Sequence, residues 1–366
     1  MIKMKPFMAE ALRLTKSGDL GQATRLIQSS LAGSGSKPSE NTTASEPPTA
    51  LTPSQRTLAL PRPDVENRWR AKPRPEKSDF KADAGRFQER QYAGPEGMMS
   101  YMLYRPAGVK AGTPLVIMLH GCTQTPENFA LGTGMNALAD EMGFIVAYPR
   151  QTSAANMQRC WNWFKPGDQQ RDQGEPALIG AIAKQIVLDC GANERRIYAA
   201  GLSAGGAAAA ILGEAYPDVF AAIGIHSGLA CGAAHDMPSA FAAMRSGPSR
   251  THNGPKSASF VPVITFHGDR DATVDPINSA HIIANAAQAS PVTLTIHKET
   301  GGSAGTHAYT REVGHGPDGA ILIERWTVHG AGHAWSGGHA PGTYIDKNGP
   351  DASRAMMTFF RRHSLP

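Results

Sequence analysis

The chain has 366 residues, of which 41% are hydrophobic and 18% charged, and a formal net charge of +5. These values fit a soluble globular protein with one large domain and an appendage, and no apolar run is long enough to span a bilayer. Residues 1–90 hold 16 Lys+Arg against 10 Asp+Glu and the remainder 20 against 21, so the basic surplus suits a solvated tail or an anionic surface, and no nucleic-acid partner is expected.

The opening stretch, MIKMKPFMAEALRLTKSGDL, is basic but lacks a continuous apolar segment and a small-residue cleavage site. No secretory signal is expected, and the cytoplasm is the expected compartment. Residues 1–32 read as a helical hairpin extension, with Leu20, Ala23, Leu26, Ile27 and Leu31 at helical spacing and Gly18 and Gly33 as stops. A hairpin of that size cannot sustain a core of its own, so it must pack on the body, a second copy or a partner surface. Residues 33–92 read as a linker, rich in Ser, Thr and Pro and then charged.

From residue 93 to 366 apolar, β-branched runs alternate with helical stretches. Strands are predicted at Met99–Tyr104, Pro114–His120, Phe144–Tyr148, Arg196–Ala200, Ala221–His226, Val261–His267 and Ile321–Val328. Helical stretches lie between many of them, among them 133–142, 176–190, 204–216 and 277–288. That alternation predicts an α/β domain with a mostly parallel sheet and helices on both faces. Ligands of such sheets collect at the carboxyl ends of the strands.

One such end carries Gly201-Leu202-Ser203-Ala204-Gly205. In a G-x-S-x-G turn the glycines admit a sharp strand-to-helix reversal, which exposes the serine beside a helix N-terminus. There the free N–H groups and the helix dipole favour a developing anion. A serine hydroxyl needs a base. Downstream, a strand leads to Asp269, Asp271 and Asp275, and another leads to a glycine-rich loop with His329 and His333. Spacing alone does not separate the three aspartates. The chain order Ser, Asp, His is that of α/β-hydrolase triads. A second backbone donor for an oxyanion follows the strand before His120-Gly121-Cys122, at the Cys122 amide, with the Ala204 amide as the first.

Composition predicts that Cys122, Cys160, Cys190 and Cys231 are free buried thiols. No zinc site is expected from His329, His333 and His339, because they fall on a strand end and a loop rather than a helix. His120 and His267 read as structural or supporting residues, His226 receives no role, and Glu175 reads as a helix N-terminal charge.

Together with LHGCTQT, CWNWF, RDQGEP, GLSAGG, YPDVFAA, HGDRDATVDP and GAGHAWSGG, the chain over roughly residues 90–362 resembles the catalytic domain of poly(3-hydroxybutyrate) depolymerases. Their esterase relatives include feruloyl and acetylxylan esterases. The resemblance implies an α/β-hydrolase fold and a serine esterase mechanism without a cofactor. It implies Ser203 as nucleophile, Asp271 as acid, His333 as base, and the Cys122 and Ala204 amides as oxyanion donors. It also implies that Cys122 and Cys160 lie near each other, although the expected compartment argues against a bridge. Trp335, two residues beyond His333, is expected to line the acyl cleft, and Trp161 and Trp163 are weighed for the same place.

Secreted members carry linker and substrate-binding domains after the catalytic domain. This chain has an N-terminal extension and ends at Pro366, so likeness to intracellular members is expected. The expected substrate is a poly(3-hydroxybutyrate)-type polyester or its oligomers, with residues 1–32 as a granule-docking segment. The alternatives are a feruloyl or acetylxylan-type carbohydrate esterase, and a granule- or partner-binding protein with a vestigial hydrolase domain.

Overall fold

The computed structural model describes residues 87–248 and 260–366. The hairpin expected at residues 1–32 and the linker up to residue 86 lie outside the described residues. The strands are β1 (Phe87–Gly94), β2 (Gly97–Tyr104), β3 (Thr113–Leu119), β4 (Ile145–Pro149), β5 (Ala192–Leu202), β6 (Ala222–His226), β7 (Val263–Gly268), β8 (Thr295–Gly301), β9 (Tyr309–His315) and β10 (Ile321–Val328). They form one ten-stranded sheet in the order β1-β2-β4-β3-β5-β6-β7-β10-β9-β8. The helices are α1 (Pro126–Thr133), α2 (Met135–Met142), α3 (Gly174–Cys190), α4 (Ala204–Ala215), α5 (Met237–Ser246), α6 (Ile277–Ala289) and α7 (Ala352–Phe360). This is the α/β-hydrolase architecture that the resemblance implied. No helix among the described residues is long and apolar enough to cross a membrane.

The central run β4-β3-β5-β6-β7-β10 is parallel throughout. A parallel sheet must be covered on both faces, so its central strands are apolar in continuous runs rather than at every second position. β3 illustrates this. Leu115, Ile117 and Leu119 enter one core with Ile179, Ile182 and Ile186 of α3 and Ile211 of α4. Val116 and Met118 enter the other with Phe129 of α1, Leu138 of α2 and Met356 and Phe360 of α7. Because these strands run the same way, the loops that follow β3, β5, β6, β7 and β10 leave the sheet at one edge.

All seven expected strands are present. The structure adds β1, β8 and β9, which join the sheet through antiparallel ladders. β8 is the outermost strand on its side, and its TIHKETG sequence is exposed along almost its whole length, so it carries no burial pattern to read. The linker expected to run to residue 92 ends sooner, because residues 87–92 already pair with β2. The helix expected over 133–142 is α2, which begins at Met135; Thr133 instead closes α1, a helix the sequence reading did not include, and Gly134 parts the two with a left-handed φ of 65°.

Phe266 sits at the centre of β7, fully buried, with its ring stacked on Trp326 at 5.0 Å and near His226 at 5.8 Å. Phe266→Ala is expected to lower the unfolding free energy by about 3–5 kcal/mol, read from the urea midpoint at unchanged m-value.

Candidate active site

Ser203 separates β5 from α4 and holds φ 58°, ψ −119°, a region that costs a non-glycine residue on the order of 1–3 kcal/mol. The surroundings enforce it. A Cβ on Gly205 would fall 2.0 Å from the Leu119 carbonyl oxygen, and one on Gly201 would fall 2.3 Å from the Gly205 oxygen. The turn is therefore folded against itself and against the end of β3, and only glycine fits at either side. The Ser203 N–H donates to the His226 carbonyl at 2.9 Å. Ser203 is half-buried between fully buried neighbours, so within the turn its side chain is the one that reaches the surface. Ala204 opens α4, and a first-turn amide has no acceptor within its own helix.

The three aspartates after β7 have three different fates. Asp271 is buried. Its Oδ2 accepts from His333 Nδ1 at 2.7 Å, and its Oδ1 accepts from the Thr273 and Val274 amides at 2.9 Å each. His267 Nε2 lies 3.4 Å from Oδ2. Burial alone would raise the Asp271 pKa, but the hydrogen bonds from His267, His333 and the Val274 amide outweigh it and hold the carboxyl well below the usual carboxylate range. Asp269 instead accepts from His329 Nδ1 at 2.9 Å and from the Gly330 amide at 2.7 Å, in an exposed position. Asp275 accepts from the Ile277 amide at 2.9 Å at the start of α6. His329, the rival base, is occupied on both ring nitrogens, by Asp269 and by Thr310 Oγ1 at 2.9 Å. Among the described residues no hydrogen bond joins Ser203 Oγ to His333. In substrate-free sites that bond is often long and tightens when the ester binds.

His226 ties the serine turn to the histidine loop. Its carbonyl takes the Ser203 amide, and its Nε2 accepts from the Ser336 amide at 2.9 Å. Since an amide only donates, Nε2 bears the lone pair and Nδ1 the proton, which points to Ser227 Oγ at 3.2 Å. Burial, with His267 and His333 nearby, pushes the His226 pKa well below its ordinary value, so the ring is a neutral spacer. The sequence signal was a histidine closing the otherwise apolar strand AIGIH.

The segment expected to supply the second oxyanion donor, His120-Gly121-Cys122, follows β3. Cys122 is bonded to Cys160, which corrects the expectation of four free thiols; Cys190 and Cys231 are free. The Gly121 amide donates to Gln124 Oε1 at 2.8 Å, and Trp161 Nε1 donates to the His120 carbonyl at 3.0 Å. His120 Nε2 accepts from the Gln151 amide at 3.2 Å, and burial lowers the ring's pKa to about 4, so it too is neutral.

The tryptophans expected in the cleft are packed inside the protein. Trp335 is fully buried, stacks on His226 at 5.1 Å and donates to Ser353 Oγ at 3.1 Å. Trp161 is fully buried with its ring 5.5 Å from that of His120, and Trp163 is 7% exposed with its ring edge-on to Phe164. An indole this large is buried readily once its N–H finds an acceptor, so adjacency to His333 in sequence did not place Trp335 at the surface.

Comparison with known proteins follows the same line. Residues 99–302 match the family described as Esterase PHB depolymerase. Over 253 residues the chain is 32% identical to poly(3-hydroxyalkanoate) depolymerase C of Paucimonas lemoignei, covering 65% of this chain and 58% of that protein. It is 33% identical over 139 residues to feruloyl esterase B of Thermothelomyces thermophilus, covering 38% of this chain and 47% of that one. The chain thus spans only about half the length of these relatives. Among solved structures, an acetyl xylan esterase from Aspergillus awamori superposes with a TM-score of 0.56 at 18% identity, covering 75% of this chain and 99% of that one. At that identity the likeness speaks for the fold alone.

Gly205→Ala places a methyl group against the Leu119 oxygen, whereas a methyl on Gly332, beside His333, meets nothing within 4 Å. Gly205→Ala is expected to destabilise by about 1–3 kcal/mol or more, and Gly332→Ala by no more than about 0.5 kcal/mol, both read by chemical denaturation.

Proposed function

The chain belongs to the esterase PHB depolymerase family, and from that premise we propose that it is a serine carboxylic-ester hydrolase acting on poly(3-hydroxybutyrate)-type polyester or its oligomers. The observation that carries this reading is the Asp271–His333 hydrogen bond of 2.7 Å, at the sheet edge where the strained Ser203 turn also ends.

Ser203 Oγ attacks the ester carbonyl carbon while His333 Nε2 takes its proton. Asp271 keeps the proton on Nδ1 and stabilises the imidazolium; a carboxyl held this low does not itself take up the proton. The tetrahedral oxyanion is received by the Cys122 and Ala204 amides, each such donor being worth about 2.7–4 kcal/mol in the transition state. His333 returns the proton to the departing alcohol oxygen, which leaves an acyl-serine. Water, deprotonated by His333, then releases the acid and restores Ser203.

A second reading is a carbohydrate-linked ester, as in a feruloyl or acetylxylan esterase. It is favoured by the 33% identity to a feruloyl esterase. A granule-docking role for residues 1–32 rests on the sequence alone. Deleting residues 1–67 should spare small-ester hydrolysis and weaken binding to amorphous polymer granules in a sedimentation assay; undiminished binding counts against docking.

On p-nitrophenyl butyrate, Ser203→Ala should abolish turnover, and Asp271→Asn should lower kcat by about 10⁴ with little change in KM. Turnover surviving Ser203→Ala would leave the hydrolase reading without its nucleophile. The substrate class is read by comparing 3-hydroxybutyrate release from amorphous polymer with hydrolysis of feruloyl and acetyl sugar esters. Polymer is expected to be the better substrate.

A further inference from the structure

Glu175 stands at the start of α3, where a glutamate is ordinarily a solvated charge favoured by the helix dipole. In this fold it is buried, at 8% exposure, and turned inward. Three N–H donors converge on its two oxygens: the Asn162 amide at 2.8 Å, Asn162 Nδ2 at 2.6 Å, and Gln151 Nε2. All are neutral amides. Burial, and then the neighbouring Asp168, push the Glu175 pKa up to about 7. An acid kept in such a place without a cation is costly, and an amide of the same shape would avoid the cost if the position served packing alone.

The donors lead to the oxyanion strand by several short routes. Gln151 donates from Nε2 to the Cys160 carbonyl at 3.1 Å and from its own amide to His120 Nε2 at 3.2 Å. Asn162 Oδ1 accepts from Asn156 Nδ2 at 3.2 Å, and Asn156 Oδ1 accepts the Cys160 amide at 3.4 Å. Between the two, Cys160 is bonded to Cys122, and Trp161 Nε1 holds the His120 carbonyl at 3.0 Å. One residue beyond Cys122, the Thr123 amide donates to the Gln158 carbonyl at 2.6 Å. The segment that presents the Cys122 amide is thus clamped onto loop 156–162, and the end of that loop at Asn162 is bonded twice to one carboxylate.

We propose that Glu175 is a positioning residue for the oxyanion site, its carboxylate fixing loop 156–162 and, through the Cys122–Cys160 bond and Trp161, the direction of the Cys122 amide. This deepens the esterase reading and rests on it. The carboxylate accepts all three donors at once. A glutamine offers one acceptor oxygen and sets an –NH₂ against the remaining donors, so the loop shifts while the surrounding core stays filled. Displacement of an oxyanion donor weakens transition-state binding and leaves ground-state ester binding nearly untouched.

The test is Glu175→Gln in the full chain, assayed at pH 8.5, where the wild-type carboxylate is ionised. Turnover of p-nitrophenyl butyrate is measured together with inhibition by butylboronic acid, whose tetrahedral adduct on serine mimics the oxyanion. Expected are a loss in kcat of about 10- to 100-fold, a KM changed less than about twofold, and a boronate inhibition constant raised in proportion to the loss in kcat/KM. An inhibition constant does not depend on the folded fraction, so its rise separates misplacement of the donor from simple loss of active protein. Asn162→Ala keeps Glu175 and the backbone bond to it but removes the side-chain bonds from Asn162 to Glu175 and to Asn156; it should show the same pattern in weaker form and decides the matter if Glu175→Gln does not fold. Wild-type kcat and boronate affinity in folded Glu175→Gln, or in Asn162→Ala where the first does not fold, overturn the proposal. Ser203→Ala runs alongside: turnover surviving there sinks the esterase reading itself, whereas its loss beside an unaffected Glu175→Gln sinks only the role of Glu175.

Discussion

The site depends on one close backbone approach, the turn after β5 lying on the end of β3. Gly205 has no room for a Cβ between the Leu119 and His120 carbonyls, and Gly201 none beside Gly205. That contact sets Ser203 in its strained conformation and brings the first amide of α4 to the strand that carries Cys122. The strain at Ser203 persists because the sheet on both sides over-determines it: the end of β5 that leads into the turn, Ile197 to Leu202, is paired with β3 on one side and β6 on the other.

The second principle of the site is the control of charge by burial. Two buried histidines near the edge, His120 and His226, have both ring nitrogens committed to backbone or hydroxyl partners. His120 and His226 are kept neutral by desolvation, and His267 donates to the Val274 carbonyl at 2.8 Å. Asp271 is the buried acid that stays ionised, because its donors converge on it more strongly than burial disfavours its charge. His333, half-buried at the loop, is the histidine that meets this carboxylate through Nδ1. Glu175 is the contrasting case: amides stand in place of an imidazole, and burial with Asp168 nearby pushes its pKa up rather than down.

How much of this was legible in the sequence varies with the range of the interaction. The strands of the body were readable from their apolar, β-branched runs, most plainly in β3, β4 and β6, which are buried on both faces. β8 was not readable, since its neighbours cover neither face. The Ser203 turn was legible because its requirements lie within five consecutive residues. The choice among Asp269, Asp271 and Asp275 was not. They sit within seven residues, and what separates them is that Asp269 and Asp271 each meet a different histidine some 60 residues on, whereas Asp275 meets only the backbone at the start of α6. The tryptophans were misjudged for the same reason: nearness to His333 along the chain says nothing of the cavity behind it, where Ser353 and His226 close around Trp335.

By itself, then, the sequence determined the alternation of elements, the strand-to-helix turn and the order of its chemical groups, all of which are local consequences of side-chain size, polarity and backbone freedom. The pairing of Cys122 with Cys160, the inward turn of Glu175, the neutral histidines and the partner of each aspartate were decided by tertiary structure. Each depends on which loops the strand order brings to one edge and on how completely water is removed there, and neither quantity is a property of any short stretch of chain.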